Sequence, residues 1–123
     1  MKEFYTLYEG YENPVEIGLL TYDQDSDKFS MFVDSAIINK RMYPILFGLD
    51  GEHNPDDRRI RIWIDSRTTP PDRVGIESIL AALDLDHYDG WEILKAANGR
   101  NPGCDRWSFI QTAEPNPKYL QAN

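Results

Sequence analysis

The sequence predicts an α+β fold in which an N-terminal antiparallel β meander packs against two or three helices and a C-terminal strand closes the structure. Three observations lead to this prediction. The N-terminal quarter contains three short segments of alternating apolar and polar residues, the middle of the chain has apolar residues at helical spacing, and a further strand-like segment follows. A period of two is typical of half-buried strands, whereas a period near 3.6 is typical of amphipathic helices.

The size and composition indicate a single folded domain. The chain has 123 residues, of which 41% are hydrophobic and 12% aromatic, and these fractions are far above those of disordered chains despite a net charge of -8. We predict one domain over residues 1–112. The polar, proline-containing end predicts an extended and loosely held tail over residues 113–123.

The predicted meander consists of three strands. Between the second and third strands lies the segment 23–27, whose Asp, Ser and Gln side chains favour a tight turn. Its alternating carboxylates also resemble the start of a calcium loop, but Lys28 stands where such a loop requires glycine. We therefore expect a turn and no metal site. The predicted strands cover residues 3–8, 16–22 and 28–33.

The segment after the meander is ambiguous in two places. The apolar run Tyr43–Leu49 fits either a short strand or a packed loop. Residues 54–57, with Asn54 as the cap and Pro55 at the first helical position, carry the signals of a helix start. In residues 58–64 the isoleucines fit a strand as well as a helix, but the start signals favour a helix that ends at Thr69-Pro70-Pro71.

The second half of the chain predicts two more helices and the closing strand. One helix covers Asp72–Leu83, where four apolar residues recur at the spacing of one buried stripe. Another begins near Asp89 and ends at Asn98-Gly99, a natural left-handed cap. The closing strand is predicted over Trp107–Thr112. The stripe consists of Ile76, Ile79, Leu80 and Leu83.

Candidate catalytic and metal-binding groups are few. His53, His87 and Cys104 are the only histidines and cysteine, and their spacing is not that of a ligand set. His87 could be a base oriented by a carboxylate, but a solvated histidine before a helix cap is the simpler interpretation. The carboxylate of Asp105 disfavours a thiolate at Cys104. We predict no enzymatic activity, no metal and no cofactor.

The charge balance and the N-terminus restrict the class of partner and the compartment. With 21 acidic and 13 basic side chains, the chain is poorly suited to bind phosphate backbones, so we predict no direct nucleic-acid binding. The start, Met1-Lys2-Glu3-Phe4, lacks the pattern of a secretory signal, and no apolar run is long enough to cross a bilayer. We expect a cytoplasmic protein without a membrane partner.

Two arginines and three tryptophans are the candidates for partner binding. Arg67 and Arg73 flank the prolines, and a guanidinium pairs bidentately with carboxylates or phosphates. The alternative is that they fasten the helices to Asp65, Asp72 or Asp105. The three tryptophans could form one cluster beneath the turn, or at least one could be an exposed anchor. The predicted partner-binding residues are Trp63, Arg67, Pro70, Arg73 and Trp107.

The middle of the chain contains the pattern Trp63-x3-Arg67, Pro70, Arg73-x-Gly75-Ile76, Leu80, Leu83, Ile93-Leu94, Gly99 and Asp105-x-Trp107. This pattern resembles the N-terminal region of HipA-like proteins of Firmicutes. The resemblance covers roughly residues 58–110, with a weaker likeness of the meander to the small β-rich subdomain of that family. Two departures are visible: an extra residue separates Arg67 from the second proline, and Asp105 precedes Trp107 by two positions.

The resemblance implies a free-standing counterpart of the accessory subdomain that precedes a serine/threonine kinase domain in that family. The chain itself contains no Gly-rich loop, paired lysine or catalytic Asp-Asn set. A small separate partner in a split, toxin–antitoxin-like system would dock on a HipA-like kinase and control it. The alternative function is an acidic phage or mobile-element inhibitor of a nucleic-acid enzyme, which the charge of -8 would support.

Overall fold

The computed structural model describes residues 1–34, 54–101, 103 and 105–120. The described ranges form a four-stranded antiparallel sheet and four helices, which confirms the predicted α+β fold with its closing C-terminal strand. The segment Tyr43–Leu49 and the side chains of His53 and Cys104 lie outside the described residues. In chain order the elements are β1 Lys2–Glu9, β2 Val15–Asp23, β3 Lys28–Val33, α1 Asp57–Arg67, α2 Ile76–Ala82, α3 Gly90–Ala96, β4 Trp107–Thr112 and α4 Pro117–Leu120.

The sheet has the strand order β3-β2-β1-β4. The first three strands are consecutive hairpins, as the meander prediction requires, and β4 returns to pair with the free side of β1. In that pairing Leu7 lies opposite Phe109 and Tyr5 lies opposite Gln111. Because side chains alternate along a strand, Tyr5, Leu7, Trp107 and Phe109 share one face of the sheet.

That face and the helices α1 and α3 enclose the hydrophobic core. The core is closed on the helix side by α1, which packs on β3, and by α3, which contributes Leu94. Half-buried Trp91 and Tyr22 pack at its border. The buried cluster consists of Tyr5, Leu7, Ile17, Leu20, Phe29, Met31, Val33, Ile60, Trp63, Ile64, Leu94, Trp107 and Phe109.

The ambiguous segment 58–64 is helical, but its start differs from the prediction. The N-cap is Asp56, whose carboxylate accepts from Arg59 N–H at 2.9 Å, and not Asn54. The physical reason is the position of Asp57, the first helical residue. Its carboxylate accepts from the Phe29 backbone N–H of β3 at 2.7 Å and from Arg61 Nε at 2.9 Å. This contact fixes where α1 begins relative to the sheet.

Helix α2 is shorter than predicted and less buried. It begins at Ile76 instead of Asp72, because Gly75 has a left-handed φ of 89° that an α-helix does not contain. The four residues of the predicted stripe are each only partly buried, and α2 contains no fully buried residue. The prediction of a helix from this spacing is therefore confirmed. The prediction of a buried stripe is wrong, because the four side chains are only partly buried.

Helix α3 begins and ends as the sequence indicates. Asp89 is the N-cap, and its carboxylate accepts from Glu92 N–H at 3.2 Å. At the other end, Asn98 and Gly99 have φ values of 55° and 70°, and Gly99 N–H donates to Leu94 O at 2.9 Å. The predicted left-handed cap is confirmed. It turns the chain directly toward Phe109 of β4, whose N–H donates to Asn98 O at 2.8 Å.

The described part of the tail is not extended, in contrast to the prediction. Residues 117–120 form the helical turn α4, and Tyr119 is 1% exposed. Its ring packs against Phe32 with the centroids 5.6 Å apart, and its hydroxyl lies 3.4 Å from a Glu16 carboxylate oxygen. The reason for the difference is the Tyr119 ring, which packs on the apolar Phe32 ring of β3. The domain boundary at residue 112 stays a prediction.

Substituting Gly99 with alanine should destabilise the fold more than the same change at Gly75. Both glycines have a positive φ, but a Cβ at Gly99 would lie 2.3 Å from the Phe109 ring, whereas a Cβ at Gly75 meets nothing within 4 Å. We expect Gly99→Ala to lower the free energy of unfolding by about 2–4 kcal/mol and Gly75→Ala by about 1 kcal/mol, the cost of the backbone conformation alone. Urea denaturation of both variants measures the difference; equal losses would contradict the contact with Phe109.

Alkaline pH should weaken the attachment of the tail. Burial, together with the carboxylates of Glu16 and Asp34, raises the pKa of Tyr119 to about 12. The neutral hydroxyl is favoured in the folded state, so this contribution is complete below the ordinary tyrosine pKa near 10 and is lost as the pH rises toward 12. Wild type should lose about 1–2 kcal/mol more than Tyr119→Phe between pH 9.5 and 11.5 in urea denaturation. Identical pH profiles would show that Tyr119 titrates as an exposed residue.

Candidate functional site

The segment that links α1 to α2 is a compact double turn. Arg73 N–H donates to Pro70 O at 3.3 Å, and Ile76 N–H donates to Arg73 O at 3.1 Å. The two prolines restrict the backbone at the start of the segment, and left-handed Gly75 redirects it into α2. We call residues 70–75 the corner. It has the folded shape that the proline-flanked motif predicts.

Arg67 lies beneath the corner and is only 3% exposed. Its Nη1 and Nη2 groups donate to the two carboxylate oxygens of Asp105, each at 2.8 Å. Nε donates to Gly99 O at 2.9 Å, and Nη2 also donates to Trp107 O at 3.2 Å. We call these contacts the Arg67 network. They connect the end of α1 to the loop after α3 and to the start of β4.

The Arg67 network has the features of a structural ion pair. The pairing is bidentate, and Asp105 also accepts from Trp107 N–H at 2.9 Å, so both of its carboxylate oxygens have donors within the domain. The guanidinium lies over the Trp63 ring with Cζ 4.6 Å from the ring centroid. The backbone carbonyl of Arg67 accepts from Asn101 Nδ2 at 3.0 Å. Of the two interpretations of Arg67, fastening to Asp105 is therefore the one that the structure contains.

The three tryptophans belong to one aromatic cluster, as one of the two interpretations predicts. Trp63 and Trp107 are each 1% exposed and meet edge to face, with ring centroids 6.1 Å apart. Phe109 joins them to half-buried Trp91, with centroid distances of 6.2 Å to Trp63 and 5.6 Å to Trp91. Buried rings present no surface to another molecule. The assignment of Trp63 and Trp107 as direct partner contacts therefore conflicts with their burial.

Of the five predicted partner-binding residues, Pro70 and Arg73 are exposed, whereas Trp63, Arg67 and Trp107 are buried. Val74, which is not among these five residues, has a side chain that is 98% exposed at the tip of the corner. The predicted helix Asp72–Leu83 includes Val74, and an apolar residue within an amphipathic helix does not indicate an exposed contact. The signal that could have found it is Gly75: a glycine directly after Arg73-Val74 permits a turn in place of a helix.

Beside the corner lies a polar notch with a volume of about 340 Å³. Its rim carries the exposed guanidinium groups of Arg73 and Arg100, and Arg100 also lies over the Tyr11 ring at 4.9 Å. The notch therefore has two exposed cations on its rim, although the net charge of the chain is -8, and one of them, Arg73, directly precedes exposed Val74. It is lined by Ser66, Arg67, Thr68, Thr69, Pro70, Arg73, Arg100 and Asn101.

Hydrogen bonds of the two threonines that precede the corner fix where it begins. Thr68 Oγ1 donates to Ile64 O at 2.6 Å, which closes the end of α1. Tyr88 Oη donates to Thr69 O at 2.8 Å from the loop before α3. Burial, with the nearby carboxylates of Asp65 and Asp89, raises the pKa of Tyr88, so the hydroxyl keeps its proton over the whole physiological range. The first residues of the corner thus start from a fixed position.

The part of the chain that the structure describes gives no support to the catalytic alternative at His87. His87 is exposed, and within those residues its side chain has no hydrogen bond to a carboxylate that would orient it as a base. No group of three or more His, Cys, Asp or Glu in the described ranges is arranged to hold a metal ion. Among the described helices, none has the length and apolar character needed to cross a membrane.

Comparison with known proteins adds no family assignment. No protein-family model matches the chain, and no curated protein matches it significantly. The properties of the corner and the notch are therefore the starting point for a functional proposal.

Removing the Arg67 side chain should destabilise the fold, whereas removing that of Arg73 should not. Arg67→Ala leaves Asp105 and the Gly99 and Trp107 carbonyls without their donor in a largely buried site. We expect a loss of about 3 kcal/mol in the free energy of unfolding. Arg73→Ala removes an exposed side chain and should change that free energy by less than about 0.5 kcal/mol. Urea denaturation of both variants measures this; a stable Arg67→Ala protein would overturn the structural role of Arg67.

Proposed function

We propose that the chain is a cytoplasmic, non-enzymatic protein-interaction module whose corner docks on a partner protein. The observation that carries the proposal is the fully exposed Val74 at the tip of a hydrogen-bonded turn, beside exposed Arg73. An apolar side chain in this position contributes nothing to the core. It gains free energy only when another surface covers it.

The construction of the corner supports binding by a preformed surface. Proline, the turn hydrogen bonds and the contacts of Thr68 and Thr69 leave few backbone conformations open. A surface that is already ordered loses less entropy on association than a mobile loop. Arginine is also among the residue types that contribute most to protein interfaces. Arg73 and Val74 together therefore form a small contact of one cation and one apolar group.

The class of partner follows from the sequence motif. The resemblance of residues 58–110 to the N-terminal region of HipA-like proteins points to a HipA-like kinase, which the module would regulate by docking in a toxin–antitoxin-like system. Arg73 and Arg100 are both cationic, so we expect the contact surface of the partner to present carboxylates to the notch. The identity of the kinase rests on the motif alone.

Replacing Arg73 with alanine and Val74 with serine together should weaken binding to a purified HipA-like kinase by about tenfold or more. The thermal midpoint should change by less than about 2 °C, because both side chains are exposed. The matched control is Arg58→Ala with Ile62→Ser, which removes an exposed arginine and an exposed isoleucine from α1. Isothermal titration calorimetry measures each affinity.

Two results would contradict the proposal: equal loss of affinity in the control pair, or no binding of wild type to the kinase. A salt series on the same complex tests the alternative of an acidic inhibitor. If the charge of -8 were the means of recognition, the affinity would fall steeply with ionic strength. A contact that includes Val74 should retain most of its affinity, because an apolar contact is not screened.

A further inference from the structure

Strand β4 is an edge strand, since it pairs only with β1 in the order β3-β2-β1-β4. Its backbone therefore has one row of N–H and C=O groups that faces away from the sheet. The sequence of β4, Trp-Ser-Phe-Ile-Gln-Thr, contains neither a charged residue nor a proline. Charges and prolines are the usual means by which proteins block pairing at an edge.

The hydrogen bond of Phe109 shows which groups face outward. Phe109 N–H donates to Asn98 O, so it points away from β1. In an antiparallel pair the residues alternate between exchanging both hydrogen bonds and exchanging none. Since Leu7 opposite Phe109 is a pair without hydrogen bonds, the pair two residues on, Tyr5 opposite Gln111, is of the same kind. The N–H and C=O groups of Gln111 therefore also point outward.

The two ends of this outer row differ. At the start of β4, Trp107 N–H donates to Asp105, Trp107 O accepts from Arg67, and Phe109 N–H is used by Asn98. Further along, the C=O of Phe109 and both backbone groups of Gln111 have no hydrogen-bond partner within the residues that the structure describes. Gln111 is exposed. Half of the edge is thus occupied by the protein itself, and the other half is open as far as the described ranges of the chain are concerned.

Gln111 also lies between two concave surfaces. The first, of about 330 Å³, has partly apolar walls on the helix side of the sheet, and the second, of about 420 Å³, lies along the adjoining end of β1. The first is lined by Leu83, Leu85, Glu92, Lys95, Ala96 and Gln111. The half-buried Leu83 and Leu85 supply an apolar wall beside the open backbone groups.

We propose that the open end of β4 binds an extended segment of a partner protein as an added fifth strand. The Gln111 N–H and C=O and the Phe109 C=O form its hydrogen bonds, and an apolar side chain of the segment packs against Leu83 and Leu85. Asn98 limits the paired part to about three or four residues. This site goes beyond the proposed docking at the corner and does not depend on it.

A second copy of the chain fits the edge less well than a separate peptide segment. Pairing two β4 strands about Gln111 would place residues 113–115 of the copy alongside Phe109 and Trp107. Asn98 already lies beside Phe109, and the Trp107 backbone groups are already bonded. Pro115 of the copy would in addition have no N–H to donate. The occupant is therefore a partner segment that is extended, lacks proline at the bonded position and ends near Asn98.

Amide hydrogen exchange of the free protein tests whether the edge is open. Gln111 N–H should exchange much faster than the N–H groups of Ile110 and Thr112, which point toward β1. NMR measures the three amides separately. A Gln111 amide protected as strongly as its neighbours would overturn the proposal, whether that protection depends on protein concentration, as for a second copy, or not.

A phage-displayed library of random decapeptides is the probe for binding. Selected peptides should protect the Gln111 amide, and Gln111→Pro should weaken their binding by about tenfold or more because it removes the outward donor. Since Gln111 N–H does not pair with β1, the proline variant should keep the sheet. Gln111→Ala is the matched control; it keeps the N–H and should lose less than about threefold.

The Arg73→Ala, Val74→Ser variant separates this site from the corner. It should bind the selected peptides as wild type does, so a failure of kinase docking and a failure of strand addition are distinguishable. The proposal is overturned if no peptide is enriched, or if peptides bind the folded Gln111→Pro variant as tightly as wild type. If that variant does not fold, protection of Gln111 by a selected peptide on wild type decides the question.

Discussion

The buried guanidinium of Arg67 is the constraint on which the rest of this structure depends. A cation that is 3% exposed is tolerated only where its donors are satisfied, and Arg67 obtains its partners from two other parts of the chain. Asp105 supplies both carboxylate oxygens, while Gly99 and Trp107 supply backbone carbonyls. The end of α1, the cap of α3 and the start of β4 must therefore be in place together. Trp63 and Trp107 then pack around the same group.

The position of the corner depends on the Arg67 network. It starts a few residues after Arg67, and Thr68 and Thr69 are bonded to α1 and to Tyr88. Arg73 and Val74 therefore follow a bonded segment, and moving that segment would strain the contacts of Arg67. Arg67, the first arginine of the motif, is buried and bonded to Asp105, whereas Arg73 is exposed on the corner. This division explains how one motif contains both structural and exposed residues.

The parts of the fold that local pattern decides could be predicted from the sequence, and those that depend on distant contacts could not. The four strands and the cap at Asn98-Gly99 follow from alternation and from residues with known turn preferences. Nothing local distinguishes Arg67 from Arg73, because burial of Arg67 requires Asp105, which is 38 residues away. Likewise, Tyr119 looks like part of a polar tail until β2 and β3 provide Glu16 and Phe32. The exposure of Val74 depends on the single left-handed residue Gly75.

The same long-range contacts decide which part of the sheet edge remains available. Arg67, Asp105 and Asn98 bond both outer backbone groups of Trp107 and the N–H of Phe109, so a strand that paired there would have to displace the interactions that hold the domain together. At the opposite edge, the outward N–H of Phe29 is bonded by Asp57, which also fixes the start of α1. Pairing at either of these positions would therefore cost stability. At Gln111 an incoming strand would break no backbone hydrogen bond of the described residues, and the apolar wall of Leu83 and Leu85 lies beside it. Of these three positions, the open end of β4 is therefore the one where an added strand would leave the hydrogen bonds of the described residues intact.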